Sequence, residues 1–142
     1  MIERLLVPVD GSDPADAALT FTFEEYPDAE ITILSVVDPT DIGHGAVNAA
    51  PSTLDRLQQR AEERTERVLD EAEARAEKHG VTVHRETVVG VPSRAIVDWA
   101  DENDVDNIVI GSHGREGVSR VLLGSVAETV VRRSPVPVTV VR

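Results

Sequence analysis

The chain has 142 residues, no cysteine and a strongly acidic composition, with 26 Asp and Glu against 14 Lys and Arg. This length fits one domain over residues 1–142 that buries its own core, and the lack of cysteine excludes disulfides and thiolate metal sites. A net charge of -12 repels phosphate backbones and anionic lipids, so neither nucleic-acid nor membrane binding is expected.

The composition also bears on where the protein works. No basic and apolar leader precedes the first strand-like run, and no apolar run approaches the ~20 residues of a membrane span. We therefore expect a cytoplasmic protein. Lys78 is the only lysine and aromatic residues make up 3%. This pattern is typical of a salt-accumulating halophile, with chance acidity in a mesophile as the alternative.

Five runs rich in Val, Ile and Thr alternate with helical patterns along the chain. Three of them, the first, second and fourth, are nearly continuous in apolar residues, as in strands covered on both faces. The five predicted strands are Leu5–Val9, Ile31–Val37, Val81–Val89, Asn107–Ile110 and Val136–Val141.

Each predicted strand except the last is followed by signals for a helix. The helix starts are predicted at Asp13–Pro14, Ser52, Pro92–Ser93 and Ser125. Gly80 should end the second and longest helix. The alternation predicts one doubly wound, Rossmann-like α/β domain with helices on both faces of a five-stranded parallel sheet, in the order 3-2-1-4-5 usual for this topology. The irregular stretch Asp38–Pro51 is predicted to be a long loop or short mobile lid.

The segment from Gly111 to Ser125 is the most informative part of the sequence. It follows an apolar strand and leads into a helix, with glycines at its start and end. A strand, a glycine-rich loop and a helix N-terminus present free backbone N–H groups and a positive dipole end to one point. This arrangement suits a phosphate. A P-loop is excluded, because the loop has no lysine.

The glycine spacing, Gly-x2-Gly-x9-Gly-Ser, resembles the nucleotide-binding motif of the ATP-binding branch of the universal stress protein family. Three further stretches resemble the family in the same order, namely Val7–Ser12, Val89–Pro92 and Ser134–Val138. The resemblance implies a module that binds ATP, accompanied by Mg²⁺ that compensates for the scarce lysines.

Ligands of doubly wound sheets lie beyond the carboxyl ends of the strands, which gives the candidate site its position. The resemblance implies that Ser125 contacts the phosphates, that Asp10 faces the ribose and adenine, and that the backbone of Val36 binds the adenine edge. Gly114 and Gly124 would allow close approach of the phosphates and are free to adopt a positive φ. The candidate residues are Pro8, Val9, Asp10, Val36, Gly90, Ile110, Gly111, Ser112, His113, Gly114, Arg115, Gly124, Ser125 and Val126.

Several of these residues have a structural alternative. Ser125 and Glu128 have the spacing of a capping box, and Asp10 suits the role of a turn residue. His113 is expected to be a solvent-facing side chain rather than a general base, because no partner acid or base is identifiable. Arg115 is equally suited to phosphate binding or to an ordinary surface position. No catalytic residue and no metal ligand is predicted.

The expected function is a nucleotide-responsive stress or regulatory module. One alternative is a slow ATPase or phosphotransferase that uses Asp10 or His113, and another is an interaction protein without nucleotide. The strand Val136–Val141 lies at a sheet edge, where prolines are tolerated. Because such an apolar edge is prone to pairing, a homodimer through this strand is expected, as the resemblance also implies.

Overall fold

The computed structural model describes residues 2–40, 50–112 and 122–142, and every structural statement below concerns these residues. They contain five strands and four helices that alternate along the chain. The elements are β1 (Arg4–Pro8), α1 (Asp13–Glu25), β2 (Glu30–Val37), α2 (Pro51–Lys78), β3 (Val83–Val89), α3 (Pro92–Glu102), β4 (Asn107–Gly111), α4 (Ser125–Arg133) and β5 (Val138–Val141).

The strands form one parallel sheet in the order β3-β2-β1-β4-β5, which confirms the predicted fold and strand order. The chain builds outward from β1 to β2 and β3, then crosses to β4 and β5 on the other side. The order therefore reverses between β1 and β4, and this reversal opens a crevice at the carboxyl ends of the two strands.

Alternating side chains of the central strands enter two separate cores, one on each face of the sheet. On one face Leu5 and Ile33 pack with Leu19 and Phe23 of α1 and with Leu69 of α2. The opposite core joins the other strand residues to α3 and α4, and includes Leu6, Leu34, Ile96, Ile108 and Val130. Both faces of the central strands are covered, which explains their nearly continuous apolar sequence.

The ends of some elements differ from the sequence prediction because local hydrogen bonds compete with the sheet. The strand β3 begins at Val83 rather than Val81, since the Val81 N–H donates to the C=O of Ala76 at 2.9 Å and closes the end of α2. Gly80 has a φ of 70°, which confirms its predicted role after the helix. At the other edge, β5 begins at Val138 rather than Val136.

Two helix starts also differ by a residue. The N-cap of α1 is Ser12 rather than Asp13, and its Oγ accepts a hydrogen bond from the N–H of Ala15 at 3.3 Å. The helix α2 begins at Pro51, so the predicted loop ends one residue earlier, and residues 41–49 lie outside the described ranges. No helix in the described ranges is long and apolar enough to cross a membrane.

Candidate functional site

The carboxyl ends of the strands are held together by hydrogen bonds that continue the sheet past the strand limits. The Val9 N–H donates to the C=O of Leu34 at 2.8 Å, and the Gly90 N–H donates to the C=O of Val37 at 3.0 Å. These bonds hold Val9 and Gly90, two of the predicted site residues, at one edge of the sheet.

Val36 has backbone groups that point towards β1 beyond the end of that strand. Pro8, the last residue of β1, pairs with Leu34, whereas β2 continues to Val37. Residues of a parallel strand direct their N–H and C=O alternately to the two neighbouring strands, so those of Val36 point to the β1 side. They lie past the last hydrogen bond between these strands, from Val9 to Leu34. One donor and one acceptor are thereby offered side by side, which suits the edge of a heteroaromatic base.

Asp10 shapes the turn that ends β1. Its Oδ1 accepts a hydrogen bond from the Ser12 N–H at 3.0 Å, and Gly11 has a φ of 82°, so the turn role foreseen as an alternative is confirmed. In the described part of the chain no hydrogen bond uses Oδ2. The turn therefore occupies only one of the two carboxylate oxygens.

The two ends of the glycine-rich segment meet at the end of β4. The Gly124 N–H donates to the C=O of Ser112 at 2.7 Å, and the Ser112 N–H donates to the C=O of Val141 at 2.8 Å. Ser112 is only 3% exposed. This closure brings the N-terminus of α4 to the carboxyl edge of the sheet. His113, Gly114 and Arg115 lie outside the described residues.

The N-terminus of α4 differs from the capping box that the sequence allowed. Gly124 is the N-cap and Ser125 is the first helical residue, while the carboxylate of Glu128 pairs with Arg132 one turn later. The capping-box alternative is therefore wrong, and the exposed Ser125 hydroxyl stands among the free N–H groups of the first turn. The positive φ considered for Gly124 is also wrong, since its φ is -65°.

Gly111 has a packing role that sequence reasoning missed. A Cβ built on Gly111 would lie 2.6 Å from the backbone carbon and 2.7 Å from the oxygen of Pro14. The first turn of α1 therefore rests directly on the end of β4. The sequence signal for this contact was the short turn between β1 and α1, which contains Asp10, Gly11 and Ser12. Such a short turn forces α1 back across the carboxyl ends of the strands.

Carboxylates dominate the described side chains around the start of α1. Burial raises the pKa of Asp16, an effect opposed by Arg75 and reinforced by Asp13, Glu71 and Asp10. The Arg75 guanidinium lies 3.2 Å from the Asp16 carboxylate. Within the described ranges no three Asp, Glu, His or Cys side chains are arranged to hold a metal ion.

The strand order, with the N-terminus of α4 hydrogen-bonded to the end of β4, defines a doubly wound, Rossmann-like α/β protein. The model of the universal stress protein family matches residues 1–142. The universal stress protein MJ0531 of Methanocaldococcus jannaschii is 34% identical to the chain, over 100% of this chain and 83% of its own length. The chain therefore belongs to the universal stress protein family.

Solved structures agree with this assignment. The structure of MJ0577, a universal stress protein from the same organism, matches with a TM-score of 0.84 and 31% identity, covering 99% of this chain and 96% of the other. A universal stress protein in complex with cAMP matches with a TM-score of 0.59 and 26% identity, covering 99% and 97% of the two chains.

Proposed function

We propose that this universal stress protein binds ATP at the carboxyl edge of its sheet and acts as a nucleotide-responsive regulatory module. The observation that carries the proposal is the hydrogen bond from Gly124 to Ser112, which sets the N-terminus of α4 beside the crevice between β1 and β4. A helix N-terminus in this position binds phosphate through its free N–H groups and its dipole. The related structure with cAMP supports an adenine nucleotide as the ligand class.

Each part of the nucleotide has a counterpart in the proposed site. The N–H and C=O of Val36 bind the adenine edge, and Oδ2 of Asp10 accepts from the ribose hydroxyls. The first-turn N–H groups of α4 and the Ser125 hydroxyl bind the phosphates. The walls and the loop are completed by Pro8, Val9, Gly90, Ile110, Gly111, Ser112, His113, Gly114, Arg115, Gly124 and Val126.

A magnesium ion would enter this site with the nucleotide. Because the described residues offer no metal-binding group of three side chains, the ion would be held chiefly by the phosphate oxygens and water. Its charge would offset the carboxylates near the start of α1.

We expect binding rather than rapid turnover. The only lysine, Lys78, ends α2 and so lies at the amino edge of the sheet, away from the proposed phosphate position. The lysine that assists phosphoryl transfer in P-loop enzymes therefore has no equivalent. A slow ATPase or phosphotransferase is the alternative, and hydrolysis at or above about 1 s⁻¹ would favour it.

Retained nucleotide tests the proposal. The purified protein is denatured, and the released small molecules are separated by chromatography and identified by mass spectrometry. We expect an adenine nucleotide. If none is retained, added ATP at a hundredfold excess over Kd should still stabilise the protein by about 2.7 kcal/mol. The absence of both effects would contradict nucleotide binding and favour the interaction protein without nucleotide.

The proposed assembly is a homodimer in the cytoplasm through the C-terminal strand. β5 is an edge strand whose four residues, Val138–Val141, are only partly buried. Val131 of α4 is 46% exposed and adds apolar surface on this side of the sheet. Antiparallel pairing of β5 with the β5 of a second copy would cover this surface and give the backbone groups of the edge strand hydrogen-bond partners.

A further inference from the structure

The two edge strands of the sheet are protected to very different degrees. β5 has four residues and follows Pro135 and Pro137. β3, at the opposite edge, has seven residues with neither proline nor lysine, and its pairing with β2 is unbroken from Ile31–Val83 to Val37–Val89. Proteins usually blunt exposed edges with prolines, bulges or charged side chains, and of these β3 has only the charges of Arg85 and Glu86.

The outer edge of β3 offers a row of backbone hydrogen-bonding groups. Gly90 donates to Val37 of β2, so the even-numbered residues of β3 face β2 and the odd-numbered ones face outward. The outward residues are Val83, Arg85, Thr87 and Val89. In the ranges that the structure describes, no hydrogen bond uses their N–H or C=O groups. The row extends over about 20 Å, which is long enough for an added strand.

Acidic side chains flank this row. The Arg85 guanidinium binds the carboxylates of Glu66, Asp70 and Glu73 on α2 at 3.0, 2.7 and 2.8 Å. The hydrogen bonds that Arg85 donates to Glu73 and Asp70 raise the pKa of Arg85, so this side chain stays charged. Three carboxylates against one guanidinium leave this group with two negative charges, and Glu86 adds an exposed one on the other face.

The carboxyl end of the same edge is apolar. Val89 is 71% exposed and Val91 is 54% exposed, the former being the most exposed of the large hydrophobic side chains in the described ranges. An acidic middle and an apolar end are therefore combined along one unpaired strand.

We propose that β3 docks an extended, basic segment of a partner protein, which adds to the sheet as a sixth strand. The segment's backbone pairs with Val83, Arg85, Thr87 and Val89, as in other cases of β-strand addition. Its Lys or Arg side chains meet the carboxylates of α2 and Glu86, and an apolar side chain covers Val89 and Val91. A second copy of this chain fits poorly, because pairing two β3 edges would bring the two acidic surfaces together.

A model peptide tests the chemistry of this surface. The probe is a peptide of about eight residues that alternates lysine and valine, and its control alternates glutamate and valine. Binding is followed by fluorescence anisotropy, and amide hydrogen exchange locates it. We expect the basic peptide alone to bind and to protect the amides of Arg85, Thr87 and Val89. No binding of the basic peptide, or protection at β5 instead, would overturn the proposal.

A pair of variants separates backbone pairing from general attraction between charges. Thr87→Pro removes one outward N–H without touching the hydrogen bonds to β2, whereas Thr87→Val keeps that N–H. We expect the basic peptide to bind Thr87→Pro about fivefold to tenfold more weakly and Thr87→Val as well as the wild type. Equal affinity for both variants would overturn strand addition.

Two further measurements guard this test. If Thr87→Pro fails to fold, a basic peptide methylated on alternate backbone nitrogens should bind the wild-type protein weakly, and undiminished binding would contradict the proposal. Sedimentation of the wild type and Thr87→Pro tests the second copy as occupant. If the wild type sediments as a dimer and Thr87→Pro as a monomer, a second copy occupies this edge and the proposal is overturned. None of these results depends on nucleotide binding.

Discussion

Gly111 matters both for the packing of the fold and for the geometry of the proposed site. The first turn of α1 rests on the end of β4, with the backbone carbon and oxygen of Pro14 at 2.6 and 2.7 Å from the place that a Cβ would occupy. Only glycine allows this approach, and the approach sets the position of α1 relative to the crevice. Local packing and the geometry of the site are thus coupled at one α-carbon.

Gly111→Ala should destabilise the protein and weaken nucleotide binding together. The added methyl group must displace the backbone of Pro14, and such overpacking costs about 1–3 kcal/mol. Gly80→Ala is the matched control, because Gly80 has open space and a φ of 70° at the other end of the molecule. It should lose about 1 kcal/mol through backbone strain and keep its ATP affinity. Urea unfolding and calorimetry check both; unchanged stability of Gly111→Ala would contradict the contact.

Asp106 makes a pH-dependent contribution to stability at the amino end of β1. Its Oδ2 accepts hydrogen bonds from the N–H groups of Glu3 and Arg4, both at 2.9 Å, and these bonds lower the pKa of Asp106 below its usual value of 3.8. A carboxyl with a lowered pKa in the folded state stabilises the protein above its unfolded pKa. This contribution is lost as the pH falls through the folded-state pKa.

The replacement Asp106→Asn should therefore reduce stability at neutral pH and flatten the acid limb of the stability profile. Chemical unfolding between pH 7 and pH 2 compares the variant with the wild type, and the difference should shrink below about pH 4. A difference that stays constant over this range would show that the carboxylate charge has no part in holding β1.

At the scale of elements, the alternation of strands and helices could be predicted because the signal is repeated along each segment. Nearly continuous apolar runs such as Ile31–Val37 are typical of strands covered on both faces, and the two cores confirm this. The positions of the strand ends were predicted less accurately. Val81 has a side chain typical of a strand, yet its N–H donates to Ala76 at the end of α2. Whether a single N–H binds the helix end or a neighbouring strand leaves no clear pattern in the sequence.

The candidate site shows the same division between local and long-range features. The turn at Asp10 and the start of α4 are local and were predicted from residue types, whereas residues 113–121 of the glycine-rich segment lie outside the described residues. Ser125 was ambiguous, because the same residues suit an N-cap or a first helical position, and only the path of Gly124 decides between them. The role proposed for Val36 came from family resemblance alone, since it depends on β1 ending before β2. The Arg85 cluster, formed with Glu66, Asp70 and Glu73, pairs side chains of two successive elements that are 12 to 19 residues apart, and it was not foreseen.

The edge strand β5 carries the proposed dimer contact, and one substitution tests it. Val140→Asp places a carboxylate on the partly buried edge opposite Ile110, where a like charge from the second copy would approach. The wild type should sediment as a dimer at micromolar concentration, and the variant should shift towards monomer. A monomeric wild type in high salt would contradict the assembly.

At the scale of the whole molecule, the charge of -12 is the dominant property. It concentrates on surfaces such as the Arg85 cluster, where carboxylates outnumber the cation. Repulsion of this kind opposes the compact state and is screened by salt, with a Debye length of about 3 Å at 1 M. We therefore propose that the protein is adapted to a salt-rich cytoplasm.

Thermal unfolding in 0.1 M and 2 M KCl tests this adaptation. The melting temperature should rise clearly with salt, because screening relieves repulsion among 26 carboxylate side chains. Potassium chloride is suitable because both its ions bind proteins weakly, so the effect reports mainly on screening. Equal melting temperatures at the two concentrations would indicate ordinary acidity without adaptation to salt.

The central claim is that the N-terminus of α4 and its loop bind the phosphates of ATP. Calorimetric titration with ATP and Mg²⁺ should be made on the wild type, on Gly124→Val and on the control Thr87→Val. The φ of -65° at Gly124 is accessible to valine, so the backbone tolerates the substitution while the added side chain obstructs the phosphates. We expect at least about tenfold weaker binding for Gly124→Val and unchanged binding for the control. Wild-type affinity in a folded Gly124→Val would contradict this account.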